Sequence, residues 1–447
     1  VKGGDKGKPS DRSATRRDRD LSWSLVAPLE AFGPFETEGE KATNHSSEER
    51  ETQTAEEATV SAKIVQHNKE EGFEHGEEVL VDIDSSESMD NQIRLNARPA
   101  PAICVRKTNV DSKRRIAKFE ELLGEENVDL DALRRLSWSG IPALHRAAAW
   151  RLMLGYVPTN SGRRGAALAR KRSEYMQSVP RNFKEIDSEE SDSFERTVYR
   201  QIHIDIPRTN PTCKIFQDEG IQRSLERVLY VWAIRHPASG YVQGMNDLLT
   251  PFYVVFLAEH FAVDNLEDVY AMKVAEVSPS ALNEIEADSY WCLTKLLDGI
   301  QDHYTFAQPG IQKMLVKLGE LMSCIDSRLT KHLEFHSTLL IQFAFRWMNC
   351  LLMREIPLHL VTRMWDTYIA EESGISDFHV YVCAAFLVQW TEEILELHDF
   401  QSIMIFLQKP PTAGWMNDDI ELLLSKAYLY KELFHAAPSH LKKPEST

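Results

Sequence analysis

The 447-residue sequence has no run of 18 or more apolar residues, so a membrane-spanning helix is not expected. Its opening, VKGGDKGKPSDRS, lacks the apolar core of a signal peptide. It also lacks an initiator methionine, so the natural start is expected upstream. Cysteine is scarce. Six residues (Cys104, Cys213, Cys292, Cys324, Cys350, Cys383) lie far apart with no C-x-x-C pair. That spacing argues against a zinc site or a disulfide framework and predicts a reduced, cytoplasmic setting. Alternating apolar and polar segments separated by hairpin turns are nearly missing, which argues against a sheet. Excess positive charge is missing too: the net charge is −17, and no surface for nucleic acid is expected.

The acidity that is present is concentrated. Between Glu36 and Asp90 stand 17 acidic and 4 basic residues, a net of −13, which leaves −4 for the remaining sequence. Residues 1–110 are rich in Glu, Ser, Thr, Lys and Gly without helical or strand periodicity, and are expected to form a disordered acidic tail. One apolar island, LSWSLVAPLEAFGPF (Leu21 to Phe35), is either incidental or a short motif that folds on a partner. A second disordered tail is expected over 438–447.

Beyond about Lys113 the texture becomes helical. KRRIAKFEELL and DLDALRRLSW carry apolar residues at helical spacing. SGIPALHRAAAWRLMLGYVP reads as a complete unit, with Pro142 in its first turn and Gly155 and Pro158 at its end. Later segments such as MNDLLTPFYVVFLAEHF and FHVYVCAAFLVQWTEEILEL are apolar nearly all around, as in helices buried against helices. The class is all-α. A division falls near Pro279, giving helical subdomains over 111–279 and 280–437.

Two segments resist a purely structural account. In RQIHIDIPRTNP, Pro207 disfavours αR at Ile206 and Pro211 does so at Asn210, which sets Arg208 on a short stiffened loop. In YVQGMNDLL, Gly244 offers a positive-φ conformation that would turn Gln243 outward, and Asn246 or Asp247 could cap the helix that follows. A guanidinium and a carboxamide can together serve phosphoryl transfer to water: one neutralises charge on phosphate oxygens, the other orients the water. Spacing alone leaves open a structural Arg–Asp pair and a capping glutamine.

Other features read as structural. The basic run Arg163 to Tyr175 is a solvated helix face or a contact for a partner or anionic membrane. His332 and His336 lie four apart, but the Glu that a zinc protease needs after the first His is absent and no third ligand is near, so no metal is expected. Trp138, Trp150, Trp347 and Trp365 belong to core stripes. Arg346, Arg354 and Asp366 are candidates for buried ion pairs, and Ser137 in RRLSW for a structural serine.

Four ordered motifs, RRLSWSGIPALHRAAAWRLMLG, RQIHIDIPRT, YVQGMNDLL and FRWMNCLLMREIPLHLVTRMWDTY, give the chain its resemblance to the TBC-domain Rab GTPase-activating proteins, from about Asp131 to Phe434. EADSYWCLTKLLDGIQDHYT and QFAFRWMN resemble the Golgi-associated subgroup. The resemblance implies a V-shaped, two-subdomain helical domain with a Rab-type GTPase in its groove. It implies Arg208 as an arginine finger and Gln243 as a glutamine finger. Asp205, Thr209, Tyr241, Gly244, Asn246 and Asp247 would support the finger loops. It further implies no cofactor of the chain's own, since GTP and Mg²⁺ travel with the partner, and a role in vesicle trafficking, peripheral to Golgi membranes, with an adaptor on the tail. The alternative is a non-catalytic TBC scaffold that binds GTPases or Golgi adaptors.

Overall fold

The computed structural model describes residues 109–183, 193–270, 272 and 274–434. The acidic tail, the Leu21 to Phe35 island and the segment 438–447 lie outside the described residues. Seventeen α-helices run through the described part. They are α1 (Asn109–Gly124), α2 (Leu130–Ser137), α3 (Ala143–Met153), α4 (Ser161–Asn182), α5 (Ser193–Asp205) and α6 (Glu219–Arg235). Next come α7 (Met245–Phe261), α8 (Leu266–Tyr270), α9 (Pro279–Gly299), α10 (Pro309–Ile325), α11 (Ser327–Phe335) and α12 (Leu340–Asn349). The last are α13 (Leu358–Ala370), α14 (Ile375–Val388), α15 (Thr391–Leu395), α16 (Phe400–Gln408) and α17 (Asn417–Phe434). The domain is all helical; the one β feature among the described residues is an isolated bridge between Asn127 and Asn160.

Local chemistry sets the helix ends. Asp129, Asp218, Ser278 and Asp399 accept from backbone N–H groups of the turns they open, satisfying donors that would otherwise be orphaned. Pro142 stands at the N-cap of α3, just outside the helix, and Gly155 (φ 68°) follows its end. The break near Pro279 coincides with the start of α9, which Ser278 caps.

Burial follows the sequence pattern. Every residue of α7 from Met245 to Ala258 is buried, as is almost all of α13 and most of α14. Helix α9 packs on α7, α6 and α4, whereas α14 packs on α17 and α10. Helix α13 touches both sets, lying against α2, α3 and α7 as well as α14 and α17. Trp150 packs between Phe252 and Trp365, with ring centroids 5.7 and 6.1 Å apart. Trp347 is also fully buried, while Trp138 is only partly so and donates its indole N–H to Glu371.

Charged groups cross the core in fixed pairs. Asp366, fully buried, accepts from the Ile141 amide (2.9 Å), the Arg146 guanidinium (3.0 Å) and the Trp150 indole (2.9 Å). Arg346 pairs with Glu355 and Arg354 with Asp247. The basic run on α4 is not one solvated face. Arg164 donates to the carbonyls of Pro158, Leu123 and Thr159, Arg172 grips Asp288, and Lys171 lies 3.7 Å from the centre of the Trp291 ring. Burial opposes ionisation of Asp288, but Arg172 and Arg151 outweigh it and hold the carboxyl below the usual range. Ser137 is fully buried.

Candidate functional site

Helix α5 continues through Asp205, and its last turn tightens into a 3₁₀ turn over Ile206–Arg208. The stiffened loop expected around Arg208 is therefore a helical turn. Pro207 is accommodated because it sits in the first positions of that turn, where no N–H donor is required. Thr209 leaves the helical region at φ −68°, ψ 116°, ahead of Asn210 in the left-handed region at φ 42°.

Helix α7 begins at Met245 with Gly244 at its N-cap, at φ 107°. Neither Asn246 nor Asp247 caps it; both lie inside the first turn. A left-handed residue occupies the cap instead, and Asn246 Oδ1 reaches back to accept from the Gly244 amide at 3.1 Å. A Cβ on Gly244 would stand 2.7 Å from both Asn349 Nδ2 and Cys350 Sγ, so the position excludes a side chain twice over.

The two segments meet on Asp205. Its Oδ1 accepts from Arg208 Nη2 at 2.5 Å and faces Gln243 Nε2 at 3.5 Å, while Oδ2 accepts from the Tyr241 hydroxyl at 2.8 Å. Arg208 Nε also donates to the Ile204 carbonyl at 3.1 Å. Beneath these contacts, Asn246 Nδ2 donates to Thr209 Oγ1 (2.9 Å), which itself donates to the Asp205 carbonyl (3.1 Å). All eight residues singled out in the sequence are thus brought to one place. Asp205, Thr209, Tyr241, Asn246 and Asp247 are buried, whereas Arg208 and Gln243 are exposed.

The electrostatics match this division. Burial, reinforced by the Asp205 charge, pushes the Tyr241 hydroxyl well above its ordinary range, so it stays a proton donor to the carboxylate. The Arg208 side chain is 40% exposed, whereas that of Asp205 is buried. The exposed guanidinium is the partner able to turn toward an incoming anion, and Tyr241 stays on the Asp205 carboxylate when it does.

The sequence reading missed the contribution of Asn349, the last residue of α12, and named Arg354 as an ion-pair candidate without its partner. Asn349 Nδ2 donates to the Gln243 carbonyl at 2.8 Å, and Arg354 Nε reaches Asp247 at 2.7 Å. A polar Asn closing the apolar stripe of FRWMNCLL was the available signal. Burial pushes the neighbouring Cys350 thiol up to about 12, so it is not a thiolate nucleophile. His332 is occupied by the Leu397 carbonyl at 2.8 Å, and among the described residues no group of three His, Cys, Asp or Glu is arranged to hold a metal ion. No described helix is long and apolar enough to cross a membrane.

The described residues thus form an all-helical domain that displays an arginine and a glutamine from two helix ends. The pattern of the RabGAP-TBC family, the Rab-GTPase-TBC domain, matches residues 144–395, and the chain belongs to that family. It is 51% identical over 348 residues to human "TBC1 domain family member 22B", covering 78% of this chain and 66% of that protein. It is 53% identical over 329 residues to mouse "TBC1 domain family member 22A", covering 74% and 62%. Against "GTPase-activating protein gyp1" of Schizosaccharomyces pombe the identity is 51% over 330 residues, covering 74% and 63%. The chain thus spans just under two thirds of the length of these curated relatives. The crystal structure of the Ypt/Rab-GAP domain of Gyp1p superposes with a TM-score of 0.68 at 45% identity, covering 72% of this chain and 99% of that one.

Proposed function

We propose that this protein is a GTPase-activating protein for a Rab-family small GTPase and supplies Arg208 and Gln243 in trans to GTP hydrolysis on its partner. The observation that carries this reading is the convergence of two exposed side chains, one cationic and one carboxamide, on the single buried carboxylate of Asp205. The fission yeast relative is named as a GTPase-activating protein and the Gyp1p domain as a Ypt/Rab-GAP domain, which supports the reaction class. The nucleotide and its Mg²⁺ belong to the partner, so the chain needs no cofactor of its own. The vesicle-trafficking role at Golgi membranes rests only on the wording of EADSYWCLTKLLDGIQDHYT and QFAFRWMN.

Hydrolysis builds negative charge on the transferring phosphoryl oxygens and needs a water held in line. Arg208 exchanges Asp205 for those oxygens, and its planar fork meets two of them at once. Gln243 has a donor and an acceptor on one planar group, the pair that orients a water. Asp205 keeps both side chains extended toward the same volume until the partner arrives. An arginine finger in the Ras system is worth about 10³–10⁵ in rate.

The test is phosphate release from a panel of GTP-loaded Rabs in single turnover. Gln243→Ala should abolish most stimulation, while a Rab whose own switch glutamine is removed should still be accelerated by the unaltered protein. Arg208→Lys should be nearly as damaging as Arg208→Ala, because an ammonium cannot reproduce the fork. An inert glutamine-less Rab together with an active Gln243→Ala variant refutes the two-finger mechanism.

A further inference from the structure

The glutamine is held differently from the arginine. Its side-chain amide stands 3.5 Å from Asp205, at the edge of hydrogen-bonding distance, whereas its main-chain carbonyl is held by Asn349 at 2.8 Å. The backbone, more than the side chain, therefore sets where the carboxamide can reach. We propose that Asn349 is a positioning residue for Gln243, fixing its height beside Arg208; the inference rests on the two-finger reading above.

Three observations support it. The Asn349 amide has one workable orientation, since turning its oxygen toward the Gln243 carbonyl would oppose two acceptors. In that orientation Oδ1 is buried and accepts no hydrogen bond, an unfavourable arrangement that needs a compensating reason. Donation to Gln243 is such a reason. Second, the end of α12 is shaped to present this side chain. Leu351 (φ 49°) and Leu352 (φ 58°) are consecutive, fully buried and left-handed, a conformation that disfavours leucine. The Leu352 amide donates to the Trp347 carbonyl at 3.1 Å, and the Tyr304 hydroxyl donates to the Asn349 carbonyl at 2.8 Å. Strained backbone held in place beside a candidate site is where positioning is expected. Third, the same segment grips the far side of the turn through Arg354 and Asp247. Gln243 is therefore set between two ties that come from more than a hundred residues away in sequence.

The test compares Asn349→Ala and Asn349→Asp with the unaltered protein and with Gln243→Ala, on one responsive Rab. Asn349→Ala should lower kcat by about 10-fold to 100-fold, the scale of a misplaced reacting group, with KM within about twofold. It should add no further loss once Gln243 is Ala. Asn349→Asp has the same size but turns an acceptor toward the carbonyl, so it should be at least as impaired. It also carries the test if the alanine variant fails to fold. Hydrogen exchange over Tyr241 to Asp247 should rise in both variants and not in Arg208→Ala. A fully active Asn349→Asp, or losses that add to those of Gln243→Ala, overturns the proposal. An unaltered protein that accelerates no Rab overturns the function itself, whereas an active protein indifferent to Asn349 overturns only this inference.

Discussion

Gly244→Ala isolates the geometry on which the glutamine depends. The new Cβ would lie 2.7 Å from Asn349 Nδ2 and 2.7 Å from Cys350 Sγ, about 1 Å inside ordinary contact. Both neighbours are buried, so neither can swing into solvent. A left-handed backbone costs a residue with a Cβ about 1–2 kcal/mol. Overpacking a closed site adds about 1–3 kcal/mol. The variant should therefore lose about 2–5 kcal/mol of stability, read as a lower urea midpoint with an unchanged slope. Combining it with Cys350→Ala opens space for the Cβ without changing φ. The double variant should then be more stable than the sum of the two losses by about 1 kcal/mol or more. Stimulation of GTP hydrolysis should fall even where the fold is retained, because Gln243 must shift with its neighbour. A stability within about 0.5 kcal/mol of the unaltered protein, or strict additivity with Cys350→Ala, refutes this account of the turn.

Two further outcomes are expected. Asp366→Ala leaves the Arg146 guanidinium, the Ile141 amide and the Trp150 indole buried without an acceptor, and should cost about 3–5 kcal/mol in chemical unfolding; a loss below about 1 kcal/mol would show that water replaces the carboxylate. Stability should also fall in mild acid. Burial lowers His379 to about 3 and His303 to about 4, the latter against the pull of Asp302. Both are neutral in the fold, while the unfolded chain takes up protons near 6.5, so the stabilisation is complete above that value and is lost as pH falls toward the folded values. Each should cost roughly 2 kcal/mol at pH 5, and equal urea midpoints at pH 7 and pH 5 would rule it out.

The helical class was legible because α7, α13 and α14 are apolar on nearly every face, a pattern that a solvated sheet would not show. The two segments stood out because each combines a turn-forming Pro or Gly with polar groups that a buried helix would not carry, but the roles of their eight residues came only from the resemblance of the four motifs to the TBC family. What lay beyond the sequence was tertiary. Asp366 was visible as a charged residue in an apolar stripe, but its partners Arg146 and Trp150 are 220 and 216 residues away. Asn349 was visible as a polar residue closing an apolar stripe, but its hold on Gln243 is to a main-chain carbonyl, so the sequence could not name its partner. Pro207 was read as a helix breaker because its position within a 3₁₀ turn depends on where α5 ends. The same ambiguity made Asn246 and Asp247 look like caps, when the glycine before them had taken that place.

The position of α13 has a consequence for how the domain comes apart. One helix provides inner surface to the early helices and to the late ones, and its Asp366 is bonded to residues on the early side. Removing it would expose apolar surface on both sides at once, so partial unfolding of either side is disfavoured relative to loss of the whole. Melting should be a single cooperative transition. A fragment ending before Leu358 should be insoluble or molten even though Arg208 and Gln243 both lie within it. Arg208 and Gln243 are thus contributed by the first half of the domain, but their arrangement should depend on the folded whole.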